Sequence, residues 1–89
     1  MTVPAPIDVA AFYRFAALPD PARLRPGLLA LGDREGLRGT ILLAREGLNG
    51  TVAGPRVGLD RLISHLRSFP GCADLAPRFS RAEAVAPFS

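Results

Sequence analysis

Few side chains in this chain could carry out chemistry, and they are not grouped for it. His65 and Cys72 are its only histidine and its only cysteine. A metal site needs several Cys, His or carboxylate ligands at short spacings, and neither residue has such neighbours in the sequence. Paired carboxylates for acid–base work are also missing. What remains are residues suited to contact: Arg14 within Phe12-Tyr13-Arg14-Phe15, and Arg45, Glu46 and Asn49 within Arg45-Glu46-Gly47-Leu48-Asn49. A guanidinium beside an aromatic ring can hold a phosphate and stack on a base. Asparagine near a turn either hydrogen-bonds the adjacent backbone or projects towards a partner. No residue is assigned a catalytic role or a metal, and no cofactor is expected in this domain.

The elements that must position these residues follow from patterning. Residues 1–7 read as a flexible lead, because Met1 to Pro6 hold two prolines and no periodicity. A single domain is expected over residues 8–89. A first strand begins near Asp8 and runs towards Leu18, with Phe12 and Arg14 on one face and Tyr13 and Phe15 on the other. Asp20 is the expected N-cap of a first helix and Pro21 its first residue, where a missing N–H costs nothing. Leu24, Leu28 and Leu31 form its apolar stripe, Pro26 predicts a kink or a fresh start, and the end falls between Gly32 and Gly36.

Strands are predicted over Arg38–Ala44 and Leu48–Ala53, turned at Arg45-Glu46-Gly47, with Gly47 supplying positive φ. Gly54-Pro55 precedes a second helix whose Leu59, Leu62, Ile63, Leu66 and Phe69 recur at helical spacing, and Pro70-Gly71 stops it. A last strand over Leu75–Arg81 contains Pro77, which cannot donate to a ladder and so belongs at a sheet edge or strand start. The order β-α-β-β-α-β is the α+β, ferredoxin-like (acylphosphatase-like) arrangement: a four-stranded antiparallel sheet, order 4-1-3-2, with two helices on one face. Its other face is uncovered. Ile41 and Leu43 alternate with Leu42 and Ala44, so the second strand is apolar on both sides and something outside the domain is expected to cover the open one.

Composition bounds the partners. At 89 residues, with 48% hydrophobic and 21% charged residues, the chain makes one small globular domain. Its lone cysteine cannot form an internal bridge, which makes a reducing, cytoplasmic setting the default. No apolar run approaches the roughly 20 residues needed to cross a bilayer. All eleven basic residues are arginine, and the net charge of +3 permits contact with a polyanion without demanding it.

Phe12-Tyr13-Arg14-Phe15, Asp20-Pro21, the run from Gly39 through Glu46-Gly47-Leu48-Asn49 to Gly50, and Pro87-Phe88 together resemble the N-terminal domain of the rhodanese-domain tRNA uridine hydroxylases. The resemblance spans nearly the whole chain, and its most specific part is the glycine, apolar strand, Glu-Gly-apolar-Asn run. It implies a longer cytoplasmic enzyme that hydroxylates the wobble uridine of certain tRNAs with molecular oxygen, through a cysteine of the following rhodanese domain. Phe69-Pro70-Gly71-Cys72-Ala73-Asp74 does not match a rhodanese active-site loop, so that role passes to no residue here. The implied partners are the rhodanese domain of the same protein and tRNA.

Two readings of Arg45, Glu46 and Asn49 are open: turn-forming residues, or residues directed at tRNA or the catalytic domain. Arg14 is either an exposed strand residue or a partner of Phe12 on the uncovered face, contacting phosphate. Two other functions belong to the same fold. One is a stand-alone RNA-binding or protein-interaction module; an RNA-recognition module would carry aromatics on both central strands, and Leu48–Ala53 has none. An acylphosphatase would cradle phosphate in a glycine-rich loop after the first strand, whereas Ala17-Leu18-Pro19-Asp20-Pro21 has no glycine or arginine and adds a carboxylate.

Overall fold

The patterning is realised, in the computed structural model, as β1 (Ile7–Phe15), α1 (Pro21–Glu35), β2 (Arg38–Ala44), β3 (Gly47–Gly54), α2 (Arg56–Arg67) and β4 (Arg78–Ala82). The structure describes residues 7–82, so Met1 to Pro6 and Pro87-Phe88 lie outside the described residues. All neighbouring strands are antiparallel in the order β2-β3-β1-β4, which is the expected 4-1-3-2 read from the other edge. β4 starts directly after Pro77 at that edge, so no proline N–H is missing from the ladder.

The β2–β3 hairpin holds a glycine at positive φ near each of its ends. Gly47 has φ 150° and Gly39 has φ 143°. A Cβ on Gly47 would fall on the Arg14 carbonyl oxygen, and one on Gly39 on the Thr51 carbonyl oxygen, so both strands approach a neighbour too closely for any side chain. Among the described residues only glycines have positive φ; Arg45 and Glu46 make the turn between the paired Ala44 and Gly47, and Gly47 leaves it at positive φ. The turn is tied to the chain leaving β1: Ala16 N–H donates to the Glu46 carbonyl at 3.0 Å and Leu18 N–H to the Arg45 carbonyl at 2.9 Å.

Both helices cover one face of the sheet. Ala10 and Phe12 of β1, Leu48 and Val52 of β3, Leu28 and Leu31 of α1, and Leu59, Leu62, Ile63 and Leu66 of α2 are buried in one cluster. Each fully buried leucine contributes about 1.5–3 kcal/mol. Gly36 ends α1 in the left-handed region, with Leu37 N–H returning to the Gly32 carbonyl at 2.8 Å.

Four expectations need correction. β1 starts at Ile7, which takes that residue out of the lead, and stops at Phe15, after which Leu18 enters the core as part of a loop. Asp20 occupies the N-cap position but its side chain caps nothing; it lies 4.0 Å from Arg23 instead. α1 runs as one helix through Pro26, so of the two expectations at that proline the fresh start is the one overturned. The missing N–H frees only the Ala22 carbonyl, one turn from an exposed helix end where water can replace the bond. Finally, Phe12 and Arg14 share the helix-covered face, and the uncovered face carries Tyr13 and Phe15.

Candidate functional site

The open face is built by the odd-numbered residues of β1 and β3 and the even-numbered residues of β2 and β4. One row across it reads Tyr13 on β1, Asn49 on β3 and Leu42 on β2. The next reads Arg78, Ala11, Thr51 and Thr40, and a third Ser80, Val9, Ala53 and Arg38. Tyr13, Phe15 and Leu42 are 71%, 80% and 59% exposed on this face. The Tyr13 and Phe15 rings meet edge to face, with centroids 6.0 Å apart at 76°. Because Ala11 is small, the face dips between Tyr13, Leu42 and Arg78 into a depression of about 540 Å3.

This face is acid-free. None of its described strand residues is Asp or Glu, since Asp8, the acidic residue of β1, points to the helix side and pairs with Arg56 at 3.5 Å. Arg38 and Arg78 have no ion-pair partner among the described residues. The other acids are largely engaged elsewhere: Asp60 by Arg56 at 3.1 Å, Glu35 by Arg61 at 3.0 Å and Asp74 by Arg14 at 2.8 Å. Of the α2 arginines, Arg56 and Arg61 are ion-paired and Arg67 donates to the Leu75 carbonyl at 2.9 Å.

The four residues singled out by sequence are not brought together. Asn49 stands on the open face, directly opposite Tyr13. Arg14 is a brace: its Nε donates to the Gly71 carbonyl at 2.9 Å while the guanidinium pairs with Asp74. Arg45 and Glu46 sit at the hairpin tip with their carbonyls engaged by Leu18 and Ala16. Arg45 also lines a second concavity, of about 1130 Å3, between α1 and β2, whose floor is Leu28, Ile41, Leu43 and Val52.

Sequence reasoning passed over Tyr13, Phe15, Arg38 and Arg78 as contact residues. A signal was present at Gly50, which lies opposite Phe12 and where a Cβ would run into the Phe12 ring. A bulky ring opposite the one glycine between Leu48 and Val52 belongs to their face, which sends Tyr13 and Phe15 to the other.

Neither remaining reactive residue is poised for chemistry. Cys72 is fully buried in the loop after α2, and burial pushes its thiol above the ordinary value despite the nearby Arg14 charge. His65 packs edge to face on Phe69, centroids 5.3 Å apart. Among the described residues no group of three or more His, Cys, Asp or Glu could hold a metal ion, and no helix is long and apolar enough to cross a membrane.

The chain is similar to known proteins. Residues 7–89 match the family described as the UPF0176 acylphosphatase like domain. The chain is 52% identical over 77 residues to the tRNA uridine(34) hydroxylase of Gluconobacter oxydans, covering 86% of this chain and 25% of that protein. It is 49% identical over 75 residues to that of Caulobacter vibrioides, covering 84% and 24%, and 57% identical over 67 residues to that of Ruegeria pomeroyi, covering 75% and 22%. The chain thus spans about a quarter of the length of these curated relatives. With the match running from the first residue of β1 onward and the sheet in its expected order, the chain belongs to the UPF0176 acylphosphatase-like domain family.

Proposed function

We propose that this chain is the N-terminal accessory domain of an oxygen-dependent tRNA wobble-uridine hydroxylase, and that it holds tRNA through its open sheet face. The chemistry belongs to the rhodanese domain that the sequence resemblance implies. Cys72 is buried with a thiol favoured in its protonated, unreactive form, so this domain contributes binding. The observation that carries the reading is the open face, which has no acid among its described strand residues, exposed Tyr13 and Phe15 towards one end, and Arg78 and Arg38 on its two outer strands. Such a face attracts a polyanion and offers it stacking surface.

The test is a salt titration of labelled tRNA binding to the full-length protein. Arg38→Ala and Arg78→Ala should each weaken binding and lower the salt slope by about one for every phosphate no longer neutralised. Unchanged affinity and slope in the double variant would remove the tRNA role from this face.

The concavity beside β2 favours a second role, packing against the catalytic domain. Alternation from the Ala16–Glu46 hydrogen bond leaves Gly39, Ile41 and Leu43 with backbone groups directed away from β3, at a free edge above an apolar floor. The two roles use different surfaces. Leu43→Asp should loosen interdomain packing, read as faster proteolysis between the domains, and leave tRNA affinity unchanged.

A further inference from the structure

The depression on the open face has the makings of a site for one nucleotide. Its floor is Ala11 and Thr51, one wall is the Tyr13 ring, the opposite rim carries the Arg78 guanidinium, and Asn49 stands beside Tyr13. At about 540 Å3 it falls in the range of cavities that take a small ligand. Each group has a match in a nucleotide. An aromatic ring stacks on a base, an amide and two threonine hydroxyls offer both donors and acceptors to a base edge or a 2′-hydroxyl, and a guanidinium takes the phosphate.

We infer that this depression binds an unpaired nucleotide of RNA, its base stacked on Tyr13, its edge met by Asn49 and its phosphate held by Arg78. This rests on the tRNA reading above and narrows it from a charged surface to a site for single-stranded RNA. Two features decide between a strand and a duplex. In an A-form helix the bases are stacked on one another and their faces are not on offer; only phosphates, 2′-hydroxyls and shallow edges are. A face built for those contacts needs many cations and no exposed ring, whereas here two exposed rings accompany two arginines. Charge also decides between RNA and a protein segment, because a surface bearing Arg38 and Arg78, with no carboxylate among its described strand residues, complements phosphate, while an apolar segment would leave both guanidinium groups covered and unpaired.

The chain carries its own probe. Tyr13 is the only tyrosine and there is no tryptophan, so tyrosine emission reports on this site alone. The 89-residue chain, once circular dichroism and a cooperative melt show that it folds on its own, is titrated at low salt with single-stranded oligouridylate, single-stranded oligoadenylate, an RNA duplex of equal length, and tRNA; labelled-RNA binding to the full-length protein is measured alongside. Quenching of Tyr13 emission by a single strand, with the duplex at least about tenfold weaker, is the expected result. Tyr13→Ala, read with labelled RNA, should weaken single-strand binding on the order of tenfold. Tyr13→Phe should restore it, since the ring suffices for stacking; Tyr13 is largely exposed, so neither variant disturbs the core.

The nucleotide site and the charged surface fail differently. If tRNA binds and Arg38→Ala with Arg78→Ala weakens it, but emission is unquenched and Tyr13→Ala binds normally, the nucleotide site is wrong and the charged surface stands. If duplex and single strand bind equally, the site is likewise wrong. If neither tRNA nor oligonucleotide binds at low salt, both are wrong and the face is left to a protein partner.

Discussion

Tyr13 and Asn49 stand directly opposite one another on the uncovered face, as a non-hydrogen-bonded pair of the β1–β3 ladder. The register pairs their Cα atoms, and the Ala16 N–H to Glu46 carbonyl bond sets the alternation that places the hydrogen-bonded pairs at Arg14–Leu48 and Phe12–Gly50. Non-hydrogen-bonded antiparallel pairs are the closer kind, with Cα atoms about 4.5 Å apart, so the amide lies beside the phenol ring. An aromatic stacking surface and a hydrogen-bonding edge are thereby held side by side by backbone geometry alone.

Asn49 is exposed and bonds to no other described side chain, so Asn49→Ala should change stability by no more than about 0.5 kcal/mol. Asn49→Asp keeps the shape and places a carboxylate on the acid-free face. It should weaken RNA binding more than Asn49→Ala does, and the gap between the two should shrink as salt is raised. Binding titrations of the two variants at two salt concentrations check this; equal affinities would show that Asn49 lies outside the RNA path.

Arg14 behaves differently from Asn49 although both were candidates. It ties the β1 end to the loop after α2, where Gly71 and Asp74 accept from it. Arg14→Ala should cost about 1 kcal/mol, between the worth of a charged hydrogen bond and that of a partly exposed ion pair. RNA affinity measured well below the unfolding temperature should be unchanged. A loss of affinity without a loss of stability would return Arg14 to the binding surface.

How much of this was legible in the sequence depends on whether a local rule could decide. α2 was legible because Leu59, Leu62, Ile63 and Leu66 mark one stripe against a polar remainder, and the hairpin because Gly39 and Gly47 punctuate it. The facing of β1 was not, because Ala10 and Phe12 on one parity are matched by Val9, Ala11, Tyr13 and Phe15 on the other. Burial of one set is decided by Gly50 making room for Phe12 from across the sheet, a non-local fact. Arg38 and Arg78 flank one surface only because β3 and β1 lie between their strands. Arg14 resembled a surface residue because the carbonyl it bonds lies 57 positions away.

Glu35 at the end of α1 accepts from Arg61 of α2 with both carboxylate oxygens at 3.0 Å, joining the two helices. The hydrogen bond from Arg61 holds its carboxyl below the ordinary value of 4.5, against desolvation, with Arg34 assisting. A depressed carboxyl favours the folded state while it is ionised. Its contribution is therefore fully present above the ordinary value of 4.5 and is lost as pH falls through the lower folded value. Melting temperatures of the wild type and Glu35→Gln should differ at neutral pH in favour of the wild type and converge under acid conditions. A difference that persisted at low pH would assign the effect to packing of the side chain rather than to its charge.

Gly47 is the position where a single methyl group should do most harm. Its φ of 150° is unfavourable for an L side chain, and the added Cβ would strike the Arg14 carbonyl oxygen and lie 3.0 Å from the Phe15 Cα. Both obstacles are backbone of the central strand and cannot swing aside, so β3 must shift away from β1 at the Phe15–Gly47 pair, two residues along the ladder from where Tyr13 faces Asn49. Gly36 offers the control: its φ of 70° is also strained for alanine, but a Cβ there meets nothing within 4 Å. Gly36→Ala should cost about 1 kcal/mol through backbone conformation alone. Gly47→Ala should cost more than that, and in whatever fraction still folds the Tyr13 emission should respond less to single-stranded RNA. Chemical denaturation of both variants gives the comparison, and a Gly47→Ala protein as stable as Gly36→Ala would show that the β1–β3 pairing can relax without penalty.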